Sequence, residues 1–209
     1  MLPWPPRHEL RRRLPRLMIG LILFAVGVSL QVIAGLGLSP WFVLHQGVAH
    51  QAGIPLGTSV VIIGVVVLLL WIPLKQRFGL GTILNVLMIG FVIDICLWLG
   101  PESVDSLAIR VALLVAGIVI LAVDSGLYIG AGLGPGPRDG LMTGLAKLGL
   151  NVGVARFGIE ISVLVVGWFL GGTVGVGTAL FAFGVGPLIA IFLPMFTVDP
   201  VKERVRETE

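Results

Sequence analysis

Charge is scarce in this chain. Asp, Glu, Lys and Arg make up 12% of its 209 residues, about half of the roughly 25% found in soluble domains. That shortage excludes an ordinary water-soluble fold. Cysteine is reduced to Cys96, set inside an apolar run, so there is neither a disulfide framework nor a thiolate metal cluster. Walker A, His-Glu-x-x-His, Cys-x-x-Cys and Gly-x-Ser-x-Gly patterns are all missing, which removes the P-loop, zincin, redox-motif and nucleophile-elbow chemistries. The run Gly132-x-Gly134-x-Gly136 follows no strand and opens no βαβ unit, so it is not a dinucleotide fingerprint. No cofactor and no enzymatic activity are expected.

Apolar residues and glycine fill the gap. Mean hydropathy is +1.06, 56% of the chain is hydrophobic, and 30 residues are glycine. Several stretches reach the roughly 20 apolar residues needed to cross about 30 Å of hydrocarbon. In lipid, small residues let helices approach closely where no hydrophobic drive exists. The pI of 9.6 does not imply nucleic acid, because the basic residues lie in tails and short loops beside apolar runs. The first such run, Leu17 to about Leu38, exceeds the roughly 7–15 residues of a signal h-region and is read as a retained span.

The expected architecture is an all-α membrane protein with six spans: 17–34, 57–73, 80–99, 107–129, 152–170 and 174–196. Two shorter segments, Pro40–Ala52 and Pro137–Leu148, would be about 20 Å long or less, too short to cross, and are read as re-entrant or interfacial helices. Cytoplasmic loops collect Lys and Arg. With the basic N-terminal segment inside, six spans leave only Arg110 outside, beside Glu102 and Asp105; counting the short pieces as spans would bring Arg110 inside but expel Lys75, Arg77 and Arg138. Both termini are therefore expected in the cytoplasm.

The chain also repeats itself. "AGLGLSPWFVLHQGVA" (34–49) and "AGLGPGPRDGLMTGLA" (131–146) share 8 of 16 positions at an offset of 97. Gly79-Leu80-Gly81-Thr82 is echoed by Gly175-Val176-Gly177-Thr178. The organisation expected is a basic tail (1–16), a first membrane repeat (17–99), an acidic external loop (100–106), a second repeat (107–197) and a cytoplasmic tail (198–209). Three spans per copy is an odd number, so the copies would be inverted, a common transporter plan with its site where the repeats meet.

Residues that differ between the copies are the first functional candidates. Ser39-Pro40 and Gly136-Pro137 read as helix starts, whose free N–H groups favour anions. Arg138 aligns with Trp41 and Asp139 with Phe42, while His45 and Gln46 align with Met142 and Thr143. Trp41, His45, Gln46, Arg138, Asp139 and Thr143 are the candidate substrate contacts. Asp139 also reads as a helix cap, and Arg138 as a cation that needs a partner. Gly136, Gly140 and Gly144 form a packing stripe. Asp124, with Tyr128 one turn on, is an expensive charge in a span and a candidate coupling residue; Arg156 and Glu160, four apart, read as an ion pair or as functional charge. Asp94 sits nearer a span end. His45 and His50, five apart, would point about 140° from each other on a helix, so no metal site is expected. Trp4, Trp71, Trp98 and Trp168 read as interfacial anchors.

On the two glycine motifs the chain resembles the YczE-type proteins of the YczE/YyaS/YitT group of bacterial integral membrane proteins, over about residues 16–196. The resemblance implies a multi-span protein of the bacterial inner membrane. The group's pattern favours an aspartate after Ser-Pro-Trp, where this chain has Phe42, so of two paired carboxylates only Asp139 would remain. Together these readings point to a secondary transporter or channel for a small polar solute, an anionic one being an option, with a non-transporting scaffold or assembly factor for a biosynthetic or regulatory complex as the alternative. The partners expected are the lipid bilayer, the solute and, as an option, a second copy of the chain.

Overall fold

The computed structural model describes residues 7–101 and 103–196, and every regular element among them is a helix. In order these are α1 (Arg7–Ala34), α2 (Pro40–Ala52), α3 (Leu56–Leu70), α4 (Leu80–Leu99), α5 (Leu107–Gly130), α6 (Pro137–Lys147), α7 (Val152–Phe169) and α8 (Val176–Phe196). Five of them, α1, α4, α5, α7 and α8, are long and apolar enough to cross a membrane; α3, at 15 residues, is shorter than the span expected at 57–73, and α2 with α3, bent by 112° at their break, makes a sixth crossing only when the pair is counted as one. The short helices stand where the glycine motifs put them. Trp4, Glu102, Lys202, Arg204, Arg206 and the segment 198–209 lie outside the described residues.

The basic segment is less of a tail than its charge suggested. From Arg7 it continues α1 without a break, carrying Pro15 and a Glu9–Arg13 ion pair at 3.0 Å. Leu, Arg and Glu are good helix formers, so the helix does not wait for the apolar run to begin.

At the centre α1 and α5 pack antiparallel. Gly20 lies against the backbone of Tyr128, and Gly27 against Gly117 and Leu121. Without side chains at these points the two backbones approach closely, which is how helices associate in lipid. An arginine stands at each end, and one of them fastens the pair. Arg110 of α5 donates from Nε to Ala34 O (2.6 Å) and from Nη2 to Gly35 O (2.8 Å), closing the C-terminus of α1. It is thus engaged with backbone carbonyls, which a helix C-terminus leaves without partners. Arg13 of α1 approaches Gly132, past the end of α5.

The two glycine loops are held reciprocally. Leu36 O accepts from Gly177 N at 2.8 Å, and Leu133 O accepts from Gly81 N at 2.9 Å. Gly37 and Gly134 have φ of +113° and +122°, a region closed to residues with a Cβ, and each lies against the glycine pair that starts a helix of the other half.

The halves differ in their outer helices. α3 crosses α4 at Gly57 and Gly90, and Asp94 accepts from Gly57 N (2.6 Å) and Thr58 Oγ (3.4 Å). Asp94 is therefore a cap for the α3 N-terminus rather than a residue reaching an interface. The matching pair α7 and α8 barely touch: Gly158, Gly184 and Gly186 meet nothing. Where Asp94 would recur, 96 residues on, the chain has Ala190, and α7 is capped by its own Asn151 (2.9 Å to Gly153 N). Among the described residues this pair has no cross-helix carboxylate of that kind.

Candidate functional site

The N-terminal ends of α2 and α6 point toward each other, and a cavity of about 260 Å³ lies between them, walled by α1, α3, α4, α5, α7 and α8. Ser39 and Gly136 hold extended N-cap conformations before Pro40 and Pro137, and neither gives its helix a side-chain hydrogen bond. The opposite ends, at Gly53 and Gly149, face open space. Each short helix thus runs from the cavity to the periphery.

Trp71 seats α6. Fully buried, it donates from Nε1 to Pro137 O at 3.0 Å, stacks on Phe78 at 5.4 Å, and lies flat against Gly140. The reading of Trp71 as an interfacial anchor is corrected by this packing, whereas Trp98 and Trp168 are 83% and 61% exposed. Gly144 meets Leu74 of the turn after α3, so the glycine stripe does pack against the other half.

Arg138 is the centre of the site. Its guanidinium carbon lies 4.9 Å from the ring of Phe42, 5.2 Å from Trp41 and 5.9 Å from Phe24. The aligned positions Trp41 and Arg138 are therefore in contact: where the copies differ, they meet. Rings lend the cation quadrupolar stabilisation but leave its in-plane N–H groups unmet. Nη2 lies 3.4 Å from His45 Nε2, and no carboxylate forms an ion pair with Arg138 among the described residues. Arginine has no lone pair to offer, so His45 Nε2 is the acceptor in that contact and Nδ1 carries the ring proton.

Four buried polar atoms on residues that line the cavity lack a hydrogen-bond partner: Trp41 Nε1, His45 Nδ1, Asp124 Oδ2 and Tyr128 Oη. Asp124 is only 1% exposed. Its Oδ1 is 3.3 Å from Ser125 Oγ, but that hydroxyl has a single proton and a nearer acceptor, Leu121 O at 2.8 Å. Asp124 thus has only its neighbour Ser125 as a donor, Oδ2 has none, and Tyr128 is not bonded to it. Buried polar groups are normally satisfied, so a cluster of unmet ones around a void marks a place for a polar guest.

Of the nine sequence candidates, Trp41, His45, Asp124, Arg138, Asp139, Arg156 and Glu160 line this cavity. Arg156 and Glu160 pair with each other at 3.1 Å. Gln46 and Thr143 lie elsewhere. Gln46 Oε1 accepts from Thr173 N (2.7 Å), fixing the turn between α7 and α8, and Thr143 is exposed with its hydroxyl on Gly140 O (3.2 Å). Phe24 and Asn85 also face the cavity, and no sequence signal marks them. Phe42 was visible only as the residue standing opposite Asp139 in the repeat. Among the described residues there is no cluster of His, Cys, Asp or Glu able to hold a metal.

Residues 11–194 match a family of unknown function, DUF6198, and the chain belongs to that family. It is 41% identical to an uncharacterized protein of Haemophilus influenzae over 179 residues, covering 85% of this chain and 81% of that protein. It is 33% identical to the uncharacterized membrane protein YczE of Bacillus subtilis over 191 residues, 90% and 88% of the two chains. YyaS of the same organism is 26% identical over 182 residues, 85% and 90%. No solved structure matches. With a membrane protein as relative and five to six apolar crossings, this is a multi-span membrane protein.

Proposed function

We propose that this member of the family is a secondary transporter or channel for a small polar solute, built from two three-span units inserted in opposite senses. The observation that carries the reading is the cavity between two opposed helix N-termini, which holds an Arg138 without a carboxylate and four unpartnered polar atoms. A structural bundle gains nothing from such a void, since unmet buried polar groups cost about 1–3 kcal/mol each. Inverted repeats with broken helices at their meeting point are a transporter plan. The antiparallel α1–α5 pair, the Arg110 and Arg13 contacts, and the reciprocal Leu36–Gly177 and Leu133–Gly81 bonds support the inversion. Basic residues on the N-terminal segment and on the turns after α3 and α6 support cytoplasmic termini and an inner-membrane location.

Two measurements test this. In a Cys96→Ser background, Ala52→Cys beyond α2 should label from outside and Leu148→Cys beyond α6 from the cytoplasm; labelling of both from one side ends the inversion. Protein in proteoliposomes should move a polar solute, and Arg138→Gln should reduce flux at least tenfold. A scaffold role is favoured by a different observation, the bare glycines and exposed apolar side chains of α7 and α8, including Phe183 at 83%, which suit a partner helix. On that reading the cellular phenotype would survive Arg138→Gln and fail with Gly184→Leu.

A further inference from the structure

We infer that the solute is a small zwitterion of the amino-acid type, its carboxylate on Arg138 and its ammonium on Asp124; the inference rests on the solute-binding reading of the cavity given above. Arg156 and Glu160 satisfy each other, so among the described residues the wall groups without an ion-pair partner are one guanidinium, Arg138, and two carboxyl groups, Asp124 and Asp139, whose charged form an ammonium would favour. A simple anion would add negative charge to a wall already short of cations. A simple cation would satisfy Asp124 but leave the Arg138 donors unmet. A zwitterion meets both poles and brings no net charge into the bilayer interior, where an added charge is expensive.

Geometry supports the same choice. Arg138 and Asp124 face one cavity but form no ion pair with each other. Had the site been meant only to balance itself, direct pairing would have been the cheaper arrangement. Donors gather at one pole. Trp41 Nε1 and His45 Nδ1 carry protons without acceptors, beside the guanidinium that His45 and the three rings hold. A carboxylate would receive charge-assisted hydrogen bonds there. On α5 Asp124 Oδ2 is an acceptor without a donor, and Tyr128 Oη, one turn further on and close to Gly136, is a second unpartnered group. An ammonium group has three donors for them. Val60, Ile63, Val86, Leu121 and Val185 complete the wall and suit a short aliphatic side chain. At about 260 Å³ the space falls below the roughly 300–1,000 Å³ of drug-sized pockets, which limits the guest to a small molecule.

The test is a binding panel on detergent-purified full-length protein, read by thermal stabilisation. Leucine is compared with 4-methylpentanoate, which lacks the ammonium, and with isopentylamine, which lacks the carboxylate; alanine, propionate and ethylamine form a shorter set. The zwitterion of at least one set should stabilise at a concentration tenfold or more below either truncated partner. Asp124→Asn should erase the advantage of the ammonium, so that zwitterion and carboxylate act alike, and Arg138→Gln should remove both. Equal potency of carboxylate and zwitterion on wild-type protein overturns the inference, as does a panel with no shift at all. The wild-type comparison decides the matter even if a variant misfolds. Zwitterion binding without flux in proteoliposomes would sink transport and leave this assignment standing. Flux of a simple anion that ignores Asp124→Asn would do the reverse.

Discussion

Gly57→Leu is expected to leave no monodisperse folded protein after detergent extraction, and Gly57→Ala to lower the unfolding midpoint clearly. A Cβ at this position would collide with the carbonyl oxygen of Gly90 and sit 2.7 Å from Asp94 Cγ. The first obstacle is backbone, so no rotamer change relieves it, and α3 would have to move off α4. That movement would also break the 2.6 Å bond from Gly57 N to Asp94. Overpacking costs about 1–3 kcal/mol for an extra methylene or two and more where the backbone must shift, and leucine adds four carbons. The control is Gly184→Ala on α8, where nothing lies within reach of a new methyl and stability should be unchanged or slightly raised. Thermal unfolding followed by size-exclusion chromatography measures both. An unchanged midpoint for Gly57→Ala would mean that α3 and α4 do not cross at this glycine pair.

Trp71→Ala should have an effect of similar size and a different character. The side chain is completely buried between Phe78 and the face of Gly140. Large-to-alanine changes at such sites cost about 3–5 kcal/mol. Its Nε1 also holds the carbonyl of Pro137 at the first turn of α6, and an unmet buried acceptor adds about 1–3 kcal/mol. Because α6 carries Arg138, the damage should extend to the cavity: solute binding should fail at temperatures where the variant is still folded. Trp71→Phe keeps most of the packing and loses only the hydrogen bond, so its midpoint should fall between those of the wild type and Trp71→Ala. If Trp71→Ala retains full binding, α6 is positioned by something other than this seat.

Trp71 shows where reading along the chain reaches its limit. Its place at the end of an apolar run looked like that of an interfacial tryptophan, because the element that covers it, α6, lies 66 residues away. Asp94 has the same history: a carboxylate near a span end gives no hint that it will cap another helix through Gly57. Arg110, marked by charge counting as the exception outside, is occupied with the carbonyls of Ala34 and Gly35. The nine candidate site residues were chosen from repeat differences and from charge within spans, and both signals are local. That is why the pair Trp41 and Arg138 could be noticed at aligned positions, and why Phe24, on α1 and in no motif, could not. Gln46 and Thr143 carried the same repeat signal as His45 yet point away from the cavity; offset alone does not say which face of a short helix turns inward.

Composition and periodicity were enough to determine a helical membrane protein, the approximate bounds of its spans, and the two short helices, whose Ser39-Pro40 and Gly136-Pro137 starts place proline at the first helical position it favours. The echo between the two glycine motifs, too, is written in the residues. Whether the duplicated halves would pack alike was decided only in three dimensions. Asp94 ties α3 to α4, whereas Ala190 leaves α8 without that link to α7. The cavity with its unmet polar atoms likewise exists only because residues far apart in the chain converge on Arg138. Helix formation depends on neighbours within a few residues, and hydrogen-bond satisfaction depends on whatever the fold brings near.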